Sequence, residues 1–201
     1  GNNYYAYKYD ADGNLLSKTI YLFDTISGVF QGAYTYDSAD RLIGAIEVSS
    51  FTVTIGTGAE AVVETHYKVR TWTFMRDSTG GLVAQIWTDY DAGTVDKLTV
   101  APLAVGTADG LINDAGKLNL PASAKFLGYE FKRRIERFGT TTYTTKGLSI
   151  GWDYASNKMN SRSQTYTERT EENIDLDNDG VLGETLADGS IEKKITYSRY
   201  V

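Results

Sequence analysis

The sequence predicts an all-β fold, and three observations predict it. Helical periodicity is almost absent. Short stretches rich in Tyr, Thr, Val and Ile instead alternate apolar and polar side chains. Clusters of Asp, Gly, Asn and Ser separate them, and such residues turn a chain within a few positions. Hairpins that follow one another through short loops give an antiparallel meander. The expected architecture is a meander forming a strongly curved sheet, a barrel or a sandwich.

The first strands show the pattern. Tyr5, Tyr7 and Tyr9 share one face, and Asp10-Ala11-Asp12-Gly13-Asn14 makes a turn. Leu15 to Phe23 returns, Asp24 to Gly28 turns again, and Val29 to Tyr36 follows. Asp37-Ser38-Ala39-Asp40-Arg41 then leads to Leu42. In the next strand Leu42, Gly44, Ile46 and Val48 lie on one face, but Phe51, Val53 and Ile55 have the other parity. That switch predicts a β-bulge or a crossing between sheets near Ser49-Ser50. After a turn at Gly56-Thr57-Gly58, the stretch Ala61 to Met75 switches likewise: Val63, Tyr67 and Val69 face one way, Trp72 and Phe74 the other.

Pro102 and Pro121 frame a stretch with Asp109-Gly110 and Asn113-Asp114-Ala115-Gly116, which reads as a loop insertion over 102–121. From Phe126 to Phe138, Leu127, Tyr129, Phe131 and Ile135 share a face with Arg133 and Arg137. The opposite face is Glu130, Lys132, Arg134 and Glu136, a charged row that must meet water and argues against an outer-membrane barrel. Ile195 to Val201 is a closing strand. Composition on both sides of the insertion is alike, so residues 1–201 are expected to form one domain.

The turns contain a repeat. Tyr9-Asp10-Ala11-Asp12-Gly13-Asn14-Leu15 and Tyr36-Asp37-Ser38-Ala39-Asp40-Arg41-Leu42 share aromatic-Asp-x-x-x-x-Leu. Arg76-Asp77-Ser78-Thr79-Gly80-Gly81-Leu82 and Tyr90-Asp91 through Leu98 are weaker echoes. The aromatic packs at a strand end, Asp accepts from turn amides, and Leu starts the returning strand. Roughly residues 4–48 resemble the tyrosine-aspartate (RHS-type) hairpin repeats of bacterial secreted and surface proteins. The resemblance implies sheet architecture rather than an activity.

Charge narrows the function classes. The chain carries a net charge of −6. Residues 168–188 hold eight acidic side chains and one basic one, −7, which leaves +1 for the rest. No basic face dominates, so nucleic acid is not an expected partner. With no cysteine, thiolate chemistry and disulfides are excluded. The single histidine, His66, excludes a multi-histidine metal site within one chain. No apolar run is long enough for a membrane-crossing helix. An export or lipidation segment removed before residue 1 stays open.

The acidic excess gathers at residues 171–188, around Asp175-Leu176-Asp177-Asn178-Asp179-Gly180-Val181-Leu182-Gly183-Glu184. Three carboxylates at alternate positions followed by glycine can wrap a hard cation in oxygen ligands. Counted as an EF-hand loop, Asp175, Asp177 and Asp179 take positions 1, 3 and 5, Gly180 takes 6, and Val181 offers a carbonyl at 7. Position 12 is Leu186, so the bidentate glutamate is missing, and Glu184 stands at 10. The loop resembles the Asp-x-Asp-x-Asp-Gly loops that link non-helical elements in secreted proteins. The expected metal site is Asp175, Asp177, Asp179, Val181 and Glu184. The expected cofactor is calcium, because magnesium demands a stricter octahedron than a flexible carboxylate loop supplies.

Elsewhere the sequence is less specific. His66 lies between Glu64 and Lys68 and reads as an exposed histidine. Asp89 and Asp91 share a face with Trp87, a pairing that could serve glycoside hydrolysis, although Asp91 more economically starts a turn. The expected function is a non-enzymatic, secreted or cell-surface β domain with structural calcium. A glycan- or apolar-ligand-binding module is the alternative, with a glycan or a cell-surface protein as partner; Trp72, Trp87 or Trp152 would line its face. A carboxylate hydrolase ranks last.

Overall fold

The computed structural model describes residues 3–26, 29–94, 118–177 and 179–200. Ten strands form a single antiparallel sheet: β1 (Asn3–Tyr9), β2 (Leu15–Phe23), β3 (Phe30–Asp37), β4 (Leu42–Ile55), β5 (Val62–Arg76), β6 (Leu82–Asp91), β7 (Lys125–Arg137), β8 (Thr140–Asp153), β9 (Lys158–Asn173) and β10 (Lys193–Tyr200). Spatial order follows sequence order, so the predicted meander is the architecture. The sheet stays open: β1 pairs with β2 and β10 with β9, and neither barrel nor sandwich forms among the described residues. No helix of the described residues is long and apolar enough to cross a membrane. The predicted insertion at 102–121 lies outside the described residues except for its end, where Leu118 and Leu120 pack against the core.

The turns after β1, β3 and β5 sit at one end of the sheet and are built alike. In each, one oxygen of an aspartate accepts from amides two and four residues on: Asp10 from Asp12 and Asn14, Asp37 from Ala39 and Arg41, Asp77 from Thr79 and Gly81. The residue before each aspartate pairs with the leucine of the motif, as Tyr9 with Leu15, Tyr36 with Leu42 and Arg76 with Leu82. A register shift falls at that pair every time, which turns Leu16, Ile43 and Val83 into bulge residues. The third residue after aspartate takes positive φ in all three: Gly13 (85°), Asp40 (57°) and Gly80 (90°).

The core is small and one-sided. Phe23, Phe30, Ala33, Val69 and Ala92 are buried together, with Tyr21, Ile46, Val48 and Tyr67 packed around them. The predicted bulge at Ser49-Ser50 is absent: β4 and β5 keep one register from Gly44–Thr73 to Ile55–Val62. The parity switch is real but arises from cover. Val48 meets the main core, whereas Val53 is buried on the opposite face, the one that carries His66. Of the charged row of β7, Lys132, Arg134 and Glu136 are exposed as predicted, whereas Glu130 is half-buried and accepts from the Trp87 indole.

Candidate metal centre

The connection from β9 to β10 lies at the same end as the aspartate turns, and its backbone closes it into a compact loop. The Ile174 amide donates to the Glu192 carbonyl (3.1 Å), the Glu192 amide to the Glu184 carbonyl (3.0 Å), and the Gly183 amide to the Ile174 carbonyl (3.0 Å). Start, middle and end of the segment are therefore tied together. Gly183 is required there: its φ is 72°, and a Cβ would collide with Asn173. A smaller hairpin turn, with Leu186 donating to Ser190, sits outside this closure.

The closure gathers five carboxylates into two triads. Ligand oxygens of Asp175, Asp177 and Glu192 lie within 4.8 Å of one another, as do those of Asp177, Asp179 and Glu184. Asp177 belongs to both. Local hydrogen bonds shape the first turn: Asp175 accepts from the amides of Asp179 (3.2 Å) and Gly180 (3.0 Å), and Asp179 accepts from Val181 (2.8 Å). These carboxylates repel one another. The nearby Asp179 charge accordingly lifts the Glu184 carboxyl above the ordinary glutamate range, with Asp177, Glu192 and Asp175 adding to it.

Four of the predicted residues, Asp175, Asp177, Asp179 and Glu184, come together. Val181 lies in the same turn, exposed. Sequence reasoning missed Glu192, seventeen residues beyond Asp175 and outside the loop pattern. It is the fully buried residue of the segment, with 0% exposure. One oxygen accepts from the amides of Leu176 (2.6 Å) and Asp177 (3.3 Å). The other, Oε2, is buried with no hydrogen-bond partner. Leu186, at the position where the EF-hand pattern wants a glutamate, has no carboxylate to give. Glu192 supplies that charge from the foot of β10. Its only signal in sequence is a lone glutamate between Ile191 and Lys193, which no spacing rule singles out.

One other expectation, an exposed His66, is corrected at the far end of the sheet, where Asp91 starts a turn as predicted by accepting from the Gly93 amide. His66 is buried, at 7% exposure. Its Nδ1 contacts both oxygens of Asp91 (3.0 and 2.9 Å), and its Nε2 approaches Glu64 (3.3 Å). Asp91 is 1% exposed and also accepts from the Tyr154 hydroxyl (2.8 Å) and the Gly93 amide (2.8 Å). Burial, together with the bond to Asp91, pushes the Tyr154 hydroxyl well above the usual tyrosine range. Asp89, the other carboxylate weighed for hydrolysis, is held by Arg70 at 2.6 and 2.8 Å. Both aspartates thus serve to knit strands together.

The three tryptophans are half-buried, and their indole N–H groups are already engaged: Trp72 donates to Glu47, Trp87 to Glu130 and Trp152 to the Phe126 carbonyl. Compared with known protein families and with curated proteins, the chain matches none.

Proposed function

We propose that this chain is a non-enzymatic β domain of a secreted or cell-surface bacterial protein, and that its acidic loop holds a structural calcium ion. The observation that carries the reading is the second oxygen of Glu192. A buried carboxylate oxygen without a donor costs stability, and the Glu192 carboxylate lies in one triad with Asp175 and Asp177, which Asp177 links to Asp179 and Glu184. A divalent cation turns that arrangement from repulsive to attractive. Oxygen-only ligands on an irregular loop favour calcium, which takes six to eight oxygens in flexible geometry, over magnesium. In an extracellular module such a site need bind only at about 10⁻⁴–10⁻³ M. The ion would fix the β9–β10 connection and stabilise the fold by mass action. The exported setting is supported by two of the three like turns, Tyr9-Asp10 to Leu15 and Tyr36-Asp37 to Leu42, whose aromatic-Asp-x-x-x-x-Leu pattern resembles the tyrosine-aspartate repeats.

Calorimetric titration of calcium into metal-stripped protein tests the reading. One set of sites is expected, absent in Asp177→Asn and much weaker for magnesium. No heat with either ion, together with melting that ignores calcium and chelator alike, would remove the reading.

A further inference from the structure

The strand that follows the acidic loop is held from one side: its ladder to β9 is joined by a Tyr200–Tyr166 ring contact, Arg169 over the Tyr197 ring and a Lys193–Glu171 ion pair, all near the surface. β10 pairs on one side alone, with β9. Seven of its eight residues are exposed, among them Ile195, Tyr197 and Tyr200. A strand that buries almost no apolar surface depends on its ladder bonds and on such surface contacts, which contribute little each. The fully buried side chain nearest to it is Glu192, the residue before its first. Glu192 is buried in the closed loop, where the same closure sets its carbonyl against the Ile174 amide and its amide against the Glu184 carbonyl. Closing the hairpin therefore drives a negative charge, one oxygen unpartnered, against Asp175 and Asp177.

We infer that the bound cation acts as a latch: by ligating Glu192 together with Asp175 and Asp177, it fastens β10 to the sheet, and its departure releases that strand. The inference rests on the calcium reading above and adds a moving part to it. Without the ion, opening the foot of the hairpin returns the Glu192 charge to water and separates it from the loop carboxylates. With the ion, opening costs a ligand. Cation occupancy and β10 pairing are then linked, and each strengthens the other. The element that responds is one edge strand, while β1 to β9 and their core stay as they are.

Amide hydrogen exchange on the full chain reads this directly. Protection of the Lys193–Tyr200 amides that bond to β9 should rise about tenfold when calcium is raised to about ten times its dissociation constant. Amides of β4 and β5 should show no local change of that kind. In Glu192→Gln, which keeps the shape and removes the charge, β10 should be protected without calcium and respond little to it. Calcium binding that leaves β10 protection unaltered would overturn the latch while the binding site stands. A Glu192→Gln protein whose β10 responds to calcium as the wild type does would overturn it too. Absence of calcium binding by calorimetry would instead strike the underlying site.

Discussion

The two kinds of acidic turn at one end of this sheet handle charge in opposite ways. Asp10, Asp37 and Asp77 each sit in a tight turn whose own amides meet the carboxylate. The Asn14 side chain holds Asp10 below the ordinary aspartate range, the Arg41 amide does so for Asp37, and the Thr79 hydroxyl for Asp77. Those charges are satisfied from within. The β9–β10 connection uses the same residue types but crowds five carboxylates, leaves a buried oxygen unmet and raises Glu184. Aspartate in a turn is thus not one signal but two. Where the turn is short enough for its amides to converge on a single carboxylate, the structure is complete. Where the segment is longer and gathers several, its own amides do not meet every carboxylate oxygen.

The largest effect that would break this contrast comes from calcium itself. At about a hundred times its dissociation constant the ion should stabilise the fold by about 2.7 kcal/mol. Asp177→Asn, which touches both triads, should abolish the gain. Asp37→Asn should leave it intact. Denaturant melts with calcium or chelator measure all three. A gain retained in Asp177→Asn would show that the triads are not the site.

Next in size is a pair of substitutions expected to differ in sign. In the absence of metal, Glu192→Gln should stabilise by ~1–3 kcal/mol, since it removes an unpaired buried charge. Asp37→Asn should destabilise, lowering the melting temperature by a few degrees in calcium or chelator alike, because the Arg41 guanidinium and amide lose a charged acceptor. Destabilisation by both would erase the distinction between the two classes of turn.

Much of this was legible in the sequence, and the failures share a cause. Alternation and Asp/Gly punctuation place the strands, because both are local properties with a period of two. The repeat is visible because its hydrogen bonds span four residues. Asp175, Asp177 and Asp179 are legible for the same reason. Glu192 is not: it reaches the site only after β9 and β10 pair, and pairing brings together residues that no fixed spacing connects. His66 was misread in the same way. Its neighbours Glu64 and Lys68 suggest a wet face, but Asp91, which bonds its Nδ1, comes from β6, and Tyr154, whose ring packs edge-on against it, comes from the turn after β8. Closure failed for another reason. Parity switches in β4 and β5 report a change in which face is covered, and a change of cover needs no second sheet.

The smallest expected effect, and the sharpest for the contrast, is the pH dependence. Asp10, Asp37 and Asp77 have folded-state pKa values below their ordinary 3.8, so the stability they give is complete above that value and is lost as pH falls through the lowered ones. Glu184 runs the other way. Its folded-state pKa lies above the ordinary 4.5, so in metal-free protein its ionisation opposes folding, and acidification toward 4.5 relieves that opposition. Metal-free protein should therefore become slightly more stable as pH falls from neutral toward 4.5, then lose stability below 3.8 as the three turns take up protons. Calcium reverses the first part. Protons compete with the ion for Glu184 and its neighbours, so the calcium-loaded protein should lose stability over the same interval. Melting curves with calcium and with chelator should converge as pH drops from 7 toward 4.5. A calcium increment of constant size across that range would mean that Glu184 does not face the ion, and would confine the cation to Asp175, Asp177 and Glu192.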